Sequence, residues 1–206
     1  MTELGYDTEF AKAVVTYFGL VIGRVSDFVT NICRWHPQWE FIPNTFARQA
    51  LPMAWDYAEL NLFSPILTGT WESMLGQIQG NLTHLSQLPK VKTNEKIYPP
   101  KVTHSSATEL PYTDNYFDAV FTDPPYYDNV PYADLSDFFY VWLKRTIGDL
   151  YPDLFSTPLT PKTKEICQMQ NWDPVRYNVK DKKWFENMLS KAFQEIHRVL
   201  KPQGIA

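Results

Sequence analysis

Asp123-Pro124-Pro125-Tyr126 is the stretch of this chain whose residue types and spacing can do chemistry. A carboxylate oxygen and the carbonyl of the adjacent proline are two acceptors with no local donor competing for them, because neither proline carries an amide hydrogen. Their spacing suits the two hydrogens of a planar exocyclic amine. Tyr126 adds a flat ring on which a base can stack. An amine held this way has its nitrogen lone pair aimed at an electrophile, and such positioning is a large part of catalysis. A base in a duplex reaches a pocket of this kind only by leaving the stack.

The motif needs an element to present it. Residues 118–122 read as a short buried strand, which the two prolines stop, and in open α/β sheets ligands bind at the C-terminal tip of a strand. Residues 101–105 read as an earlier strand, with Ser106 to Pro111 as the turn beyond it. Residues 133–149 carry Leu135, Phe138, Phe139, Val141, Trp142, Leu143 and Ile147 and read as a helix with a broad apolar face. Residues 151–178 are proline-rich and mixed in charge, a mobile or substrate-facing loop. Residues 180–200 read as an amphipathic helix, residues 201–204 as a helix stop and tight turn, and Ile205-Ala206 as the start of another strand. Strand, turn, strand, helix, helix, turn, strand is the order of a parallel α/β sheet.

The first half has a different period. Apolar residues at spacings of three and four from Ala11 to Ile32 predict one long helix over residues 8–35, and Gly19 and Gly23 inside it predict close helix packing or a bend. Residues 41–64 read as a loop and then a short helix beginning near Pro52. There Arg48, Gln49, Trp55, Asp56 and Glu59 either line a groove or form a solvated face with one packed tryptophan. A second amphipathic helix is expected over residues 70–88, with Gly69 or Thr70 near its N-cap and His84 at the surface. The polar, proline-punctuated stretch 89–100 marks a boundary, dividing a helical region, 1–94, from a catalytic region, 95–206.

Composition excludes several classes. The chain has 206 residues, of which 44% are hydrophobic, enough for a sizeable core. A net charge of -4 with interspersed signs is unlike a strongly basic nucleic-acid-binding domain, so contact with nucleic acid must be local. Cys33 and Cys167 are far apart and lack neighbours at metal-ligand spacing, which implies a reduced, cytoplasmic setting with no metal. There is no apolar stretch of membrane-spanning length and no signal core after Met1, so no membrane partner is expected.

The string F-D-A-V-F-T-D-P-P-Y-Y-D-N-V-P-Y-A-D-L-S-D-F-F-Y-V-W-L-K-R, with S-S-A-T-E-L-P-Y before it and E-I-H-R-V-L-K-P-Q-G-I-A after it, resembles the large adenine-specific DNA methylase family, whose members are often found in anti-phage gene clusters. F-A-R-Q-A-L-P-M-A-W-D-Y-A-E-L-N-L-F-S resembles it too. The resemblance implies a partial Rossmann-like, class I methyltransferase sheet beside a largely helical N-terminal half, and transfer of a methyl group from S-adenosylmethionine to N6 of a flipped adenine in DNA. By that resemblance Asp123 and the Pro124 carbonyl hold the amine, Pro125 keeps the loop rigid and Tyr126 stacks on the base. Ser106 and Ala107 fall where the family contacts the cofactor's adenine, and Tyr127, Asn129 and Tyr132 line the pocket. The family's glycine-rich cofactor loop has no counterpart among the eight glycines, which contain no G-x-G pair. The chain is therefore expected to be an incomplete methyltransferase that binds the cofactor weakly or not at all alone. Its partners would be DNA and either the missing portions of the methylase or further copies of itself. Methylation of RNA or of a protein amide is a second enzymatic reading. A non-catalytic assembly module derived from a methyltransferase is a reading of another class.

Overall fold

The computed structural model describes residues 5–46, 53–65, 69–87, the backbone of 92–93 and 96–97, and 100–206. These contain four α-helices and two small sheets, a mixed α/β composition. The chain divides into two compact units, one of residues 1–89 and 132–162, the other of 90–131 and 163–206. Residues 132–162 thus cluster with the first unit.

In the first unit, α1 (Thr8–Ser26) starts where the Asp7 carboxylate accepts the amides of Glu9 and Phe10. It ends at Ser26, well short of the predicted residue 35. Asp27 stops it: its carbonyl accepts the Thr45 amide and hydroxyl, and its carboxylate accepts Asn44 Nδ2 and the Phe46 amide. Those bonds turn the chain away although apolar residues continue at helical spacing. α2 (Trp71–Gln87) is capped by Thr70, whose hydroxyl accepts the Ser73 amide. Val21 and Val25 of α1 meet Met74 of α2 in a core completed by Phe28, Leu62, Trp71, Leu75 and Ile78. α3 (Tyr132–Ile147) packs on α1 at Gly19, where a Cβ would come 2.8 Å from Ile147 Cγ2. Close approach at Gly19 was expected, whereas Gly23 has nothing within 4 Å of its Cβ position. A 3-10 turn (Gly148–Leu150) ends α3.

Residues 53–65 contain no helix, so the short helix expected after Pro52 is absent among the described residues; Arg48, Gln49 and Pro52 lie outside them. Trp55 is 88% exposed rather than packed. Glu59 lines a shallow cleft with Val29, Thr30, Asn31, Tyr57, Ala58 and Leu60. His84 is exposed. No helix among the described residues is long and apolar enough to cross a membrane.

In the second unit, β1 (Lys92–Thr93) and β2 (Lys96–Ile97) form a minimal antiparallel pair. β3 (Phe117–Ala119) pairs in parallel with β4 (Leu200–Ile205), which follows α4 (Lys182–Val199). Two expectations change here. Residues 101–105 are not a strand, and Val102 is 97% exposed. Residues 201–204 are not a separate turn but a bulged part of β4, because Phe117 pairs with Leu200 and Ala119 already with Ile205. Nor does β3 match the buried strand expected over residues 118–122: it ends at Ala119, and Asp118, Ala119 and, beyond the strand, Phe121 are exposed.

The bulge depends on Gly204, whose Cβ position lies 2.6 Å from Leu200 Cδ1 and 3.0 Å from the Asp118 carbonyl oxygen. Only a residue without a side chain lets the two backbones approach this closely. Gly204→Ala is expected to destabilise the protein by about 1–3 kcal/mol through overpacking. Urea unfolding measures it, and an unchanged midpoint would show that β4 shifts freely.

Candidate functional site

The motif sits just beyond β3. The last ladder bond is donated by the Val120 amide to the Ile205 carbonyl at 2.8 Å, after which the chain leaves the pair and runs into Asp123-Pro124-Pro125. Two closed turns follow. The Tyr127 amide donates to the Pro125 carbonyl at 3.1 Å, and the Asn129 amide to the Tyr126 carbonyl at 2.9 Å. Tyr127 has φ +35°, a left-handed conformation that a bulky residue adopts only where its surroundings impose it.

Those surroundings come from residues 163–181 and α4. The Gln168 amide donates to the Tyr127 carbonyl at 2.9 Å, and Trp172 Nε1 donates to the Asp128 carbonyl at 2.7 Å. The Tyr127 ring stands edge-on to Phe185 of α4, centroids 5.1 Å apart. Asp123 is exposed, and its carboxylate has no partner among the described residues. Tyr126 is 57% exposed, with its hydroxyl likewise unpaired among the described residues. The Pro124 carbonyl also takes no bond there. The described bonds of the turn thus fall at residues 125–129 and leave the side chains of Asp123 and Tyr126 exposed.

The other predicted site residues are placed as follows. Ser106 and Ala107 form an exposed turn closed by a bridge between Ser106 and Glu109, with Ser106 Oγ accepting the Thr108 amide at 3.2 Å. No described bond or ring contact joins this turn to residues 123–129. Asn129 is exposed. Tyr132 is the first residue of α3, in the first unit, and its carbonyl accepts Ser136 Oγ.

Residues that the sequence reading did not single out organise this unit. Arg198, in the last turn of α4, donates to the Leu110 and Tyr112 carbonyls at 3.1 and 2.8 Å and to Asp114 Oδ1 at 2.8 Å. It also meets Glu195 in a two-pronged pair, and Glu195 in turn accepts the Leu110 amide at 2.8 Å. Segment 110–114 is thereby tied to α4 just before β3 begins. The only advance signal was E-x-x-R spacing at the end of a helix, which ordinarily indicates a surface pair.

Cys167 is buried, and burial together with the Glu165 carboxylate pushes its thiol up to about 11 against the opposing charge of Lys180. It stays a thiol at neutral pH and is no nucleophile. Among the described residues no cluster could hold a metal ion, and none of the described clefts includes residues 123–127. No protein-family model, curated protein or solved structure matches the chain.

The Arg198 bonds, and the Leu110 amide beside them, hold the Glu195 carboxyl down to about 2 from its ordinary 4.5. A carboxyl whose folded value is depressed contributes stability above its unfolded value and loses it as pH falls through the folded one. The stability difference between wild type and Glu195→Gln is therefore expected to be constant above pH 4.5 and to shrink as pH falls towards 2. Thermal unfolding across that window checks this, and a difference that persists to its acid end would contradict it.

Proposed function

We propose that this chain carries the amine-holding side of an S-adenosylmethionine-dependent methyltransferase acting on N6 of adenine in DNA, built on a Rossmann-like sheet. The observation that carries the reading is the arrangement just past β3, at the C-terminal end of a parallel pair. There the Asp123 carboxylate and the Tyr126 ring are exposed on a turn whose own bonds do not use them. A carboxylate and a proline carbonyl accept both hydrogens of an exocyclic amine, and the tyrosine supports the base. The negative charge of Asp123 favours the amine most as its nitrogen becomes positive, so the same contact strengthens towards the transition state.

The residues assigned to the cofactor do not fit it by themselves. Ser106 and Ala107 form an exposed turn, and no glycine-rich loop accompanies them. The role derived for this chain is accordingly to hold and orient the amine, not to carry out the transfer unaided.

A second reading is favoured by a separate observation. Phe121, just past β3, and Ile205 of β4 are 87% and 67% exposed at the end of a two-stranded parallel pair, whereas parallel sheets are ordinarily covered on both faces. A non-catalytic assembly module derived from such an enzyme would use that surface for association.

Calorimetric titration of the chain with S-adenosylmethionine is expected to show no micromolar binding. When a cofactor-binding segment is supplied, methyl transfer to DNA should appear and vanish in Asp123→Ala. Tyr126→Ala should weaken binding of an oligonucleotide with an unpaired adenine by roughly tenfold, the value of one base-aromatic stack. Transfer that survives Asp123→Ala would sink the first reading, and no transfer even with the cofactor segment supplied would leave the second.

A further inference from the structure

Outside the motif, the most unusual group in the second unit is Lys180, a cation with only 2% of its surface exposed. Its ammonium donates to the Glu165 carbonyl at 2.7 Å and lies over the rings of Trp184 and Tyr177, 4.9 and 5.6 Å from their centroids. Its own carbonyl accepts the amides of Met169 and Gln170 at 3.1 and 3.3 Å. Lys180 therefore closes residues 165–180 on itself twice, by side chain and by backbone. Cys167, Met169 and Tyr177 form the small core inside that closure. A buried cation is costly unless it is paired or well solvated by dipoles and aromatic faces, so one is retained where its geometry matters.

Among the described residues, two external donors that reach the proposed amine-holding turn come from this closed segment: the Gln168 amide to the Tyr127 carbonyl, and Trp172 Nε1 to the Asp128 carbonyl. One bond lands on the residue held at positive φ and the other on its neighbour, where the backbone would otherwise relax. We infer that residues 165–180 are a brace for the amine-holding turn, with Lys180 and Trp172 as its positioning residues. The purpose of the turn rests on the function proposed above, while the bracing stands on these contacts alone. Lys180 sets the shape of the segment, Trp172 and Gln168 transmit it, and Tyr126 and Asp123 are aimed as a result.

Amide hydrogen exchange at Tyr127 and Asn129 tests this in the intact chain. Trp172→Phe removes one indole N–H at a half-exposed position and should leave the fold intact. Loss of one hydrogen bond corresponds to roughly five-fold faster exchange at both amides, with the Val120 amide of the β3–β4 pair unchanged. Lys180→Met should accelerate Tyr127 and Asn129 further, together with Met169 and Gln170, and Lys180→Arg should restore part of the protection. Asp123→Ala should leave all four at wild-type rates, because the Asp123 carboxylate makes no bond to the turn among the described residues. Wild-type exchange at Tyr127 and Asn129 in Trp172→Phe would overturn the proposal, as would an increase in Lys180→Met that is equal at Val120. Loosening of the turn in a protein that shows no affinity for unpaired adenine would refute the amine-holding reading and leave the brace standing.

Discussion

The constraint on which this structure turns is the absence of amide donors at Pro124 and Pro125. β3 has already ended at Ala119 before the chain reaches the two prolines, and the loop they form has few donors with which to fix itself. Besides its two internal bonds, Tyr127 to Pro125 and Asn129 to Tyr126, it needs bonds from elsewhere in the chain. The Gln168 amide and the Trp172 indole supply those bonds, the Phe185 ring supports Tyr127 from α4, and Tyr127 accepts an unfavourable backbone conformation in consequence. The same lack of donors that makes the loop dependent on its neighbours leaves the Asp123 carboxylate and the Pro124 carbonyl unspent as acceptors. Rigidity and chemical availability thus have one cause.

A second dependence runs through the end of α4. Arg198 gathers the carbonyls of Leu110 and Tyr112 and the carboxylates of Asp114 and Glu195, and two residues later the chain enters β4. The backbone of Asn115 and Tyr116 then bonds to Arg198 and Val199, which sets the start of β3 against β4. Charge-assisted bonds of this kind tolerate a partly exposed setting better than neutral ones. They anchor a parallel pair that is too small to be held by burial alone. By contrast, the Lys201–Asp118 pair across the same strands is largely exposed and contributes little.

The helices were the legible part of the sequence. α2, α3 and α4 lie within a few residues of where apolar spacing put them, because one stripe on each is packed and the caps at Thr70 and Asp181 are the expected types. α1 was over-extended because periodicity registers Phe28 and Ile32 but not the competition for Asp27 by Thr45, Asn44 and Phe46, a contact set by tertiary folding. The strands were harder, since two or three residues carry too little pattern to separate a ladder from an extended loop. The position of D-P-P-Y after β3 could be read from the prolines, and its exposure could not. The brace was invisible for another reason: residues 151–178 read as a proline-rich loop of mixed charge and Lys180 as the start of the following helix, and nothing in either announces that the lysine will be buried against Tyr177 and Trp184.

In the proposed function, Asp123 and the Pro124 carbonyl accept the two hydrogens of one exocyclic amine. The most direct measurement compares binding of two otherwise identical single-stranded oligonucleotides, one with adenine and one with N6,N6-dimethyladenine at a single position. Dimethylation removes both hydrogens and keeps the ring that Tyr126 would stack upon. The account predicts a loss of affinity of at least about tenfold, as expected when a charged acceptor loses its donor. It also predicts that the loss disappears in Asp123→Ala. Equal affinity for the two oligonucleotides would contradict it.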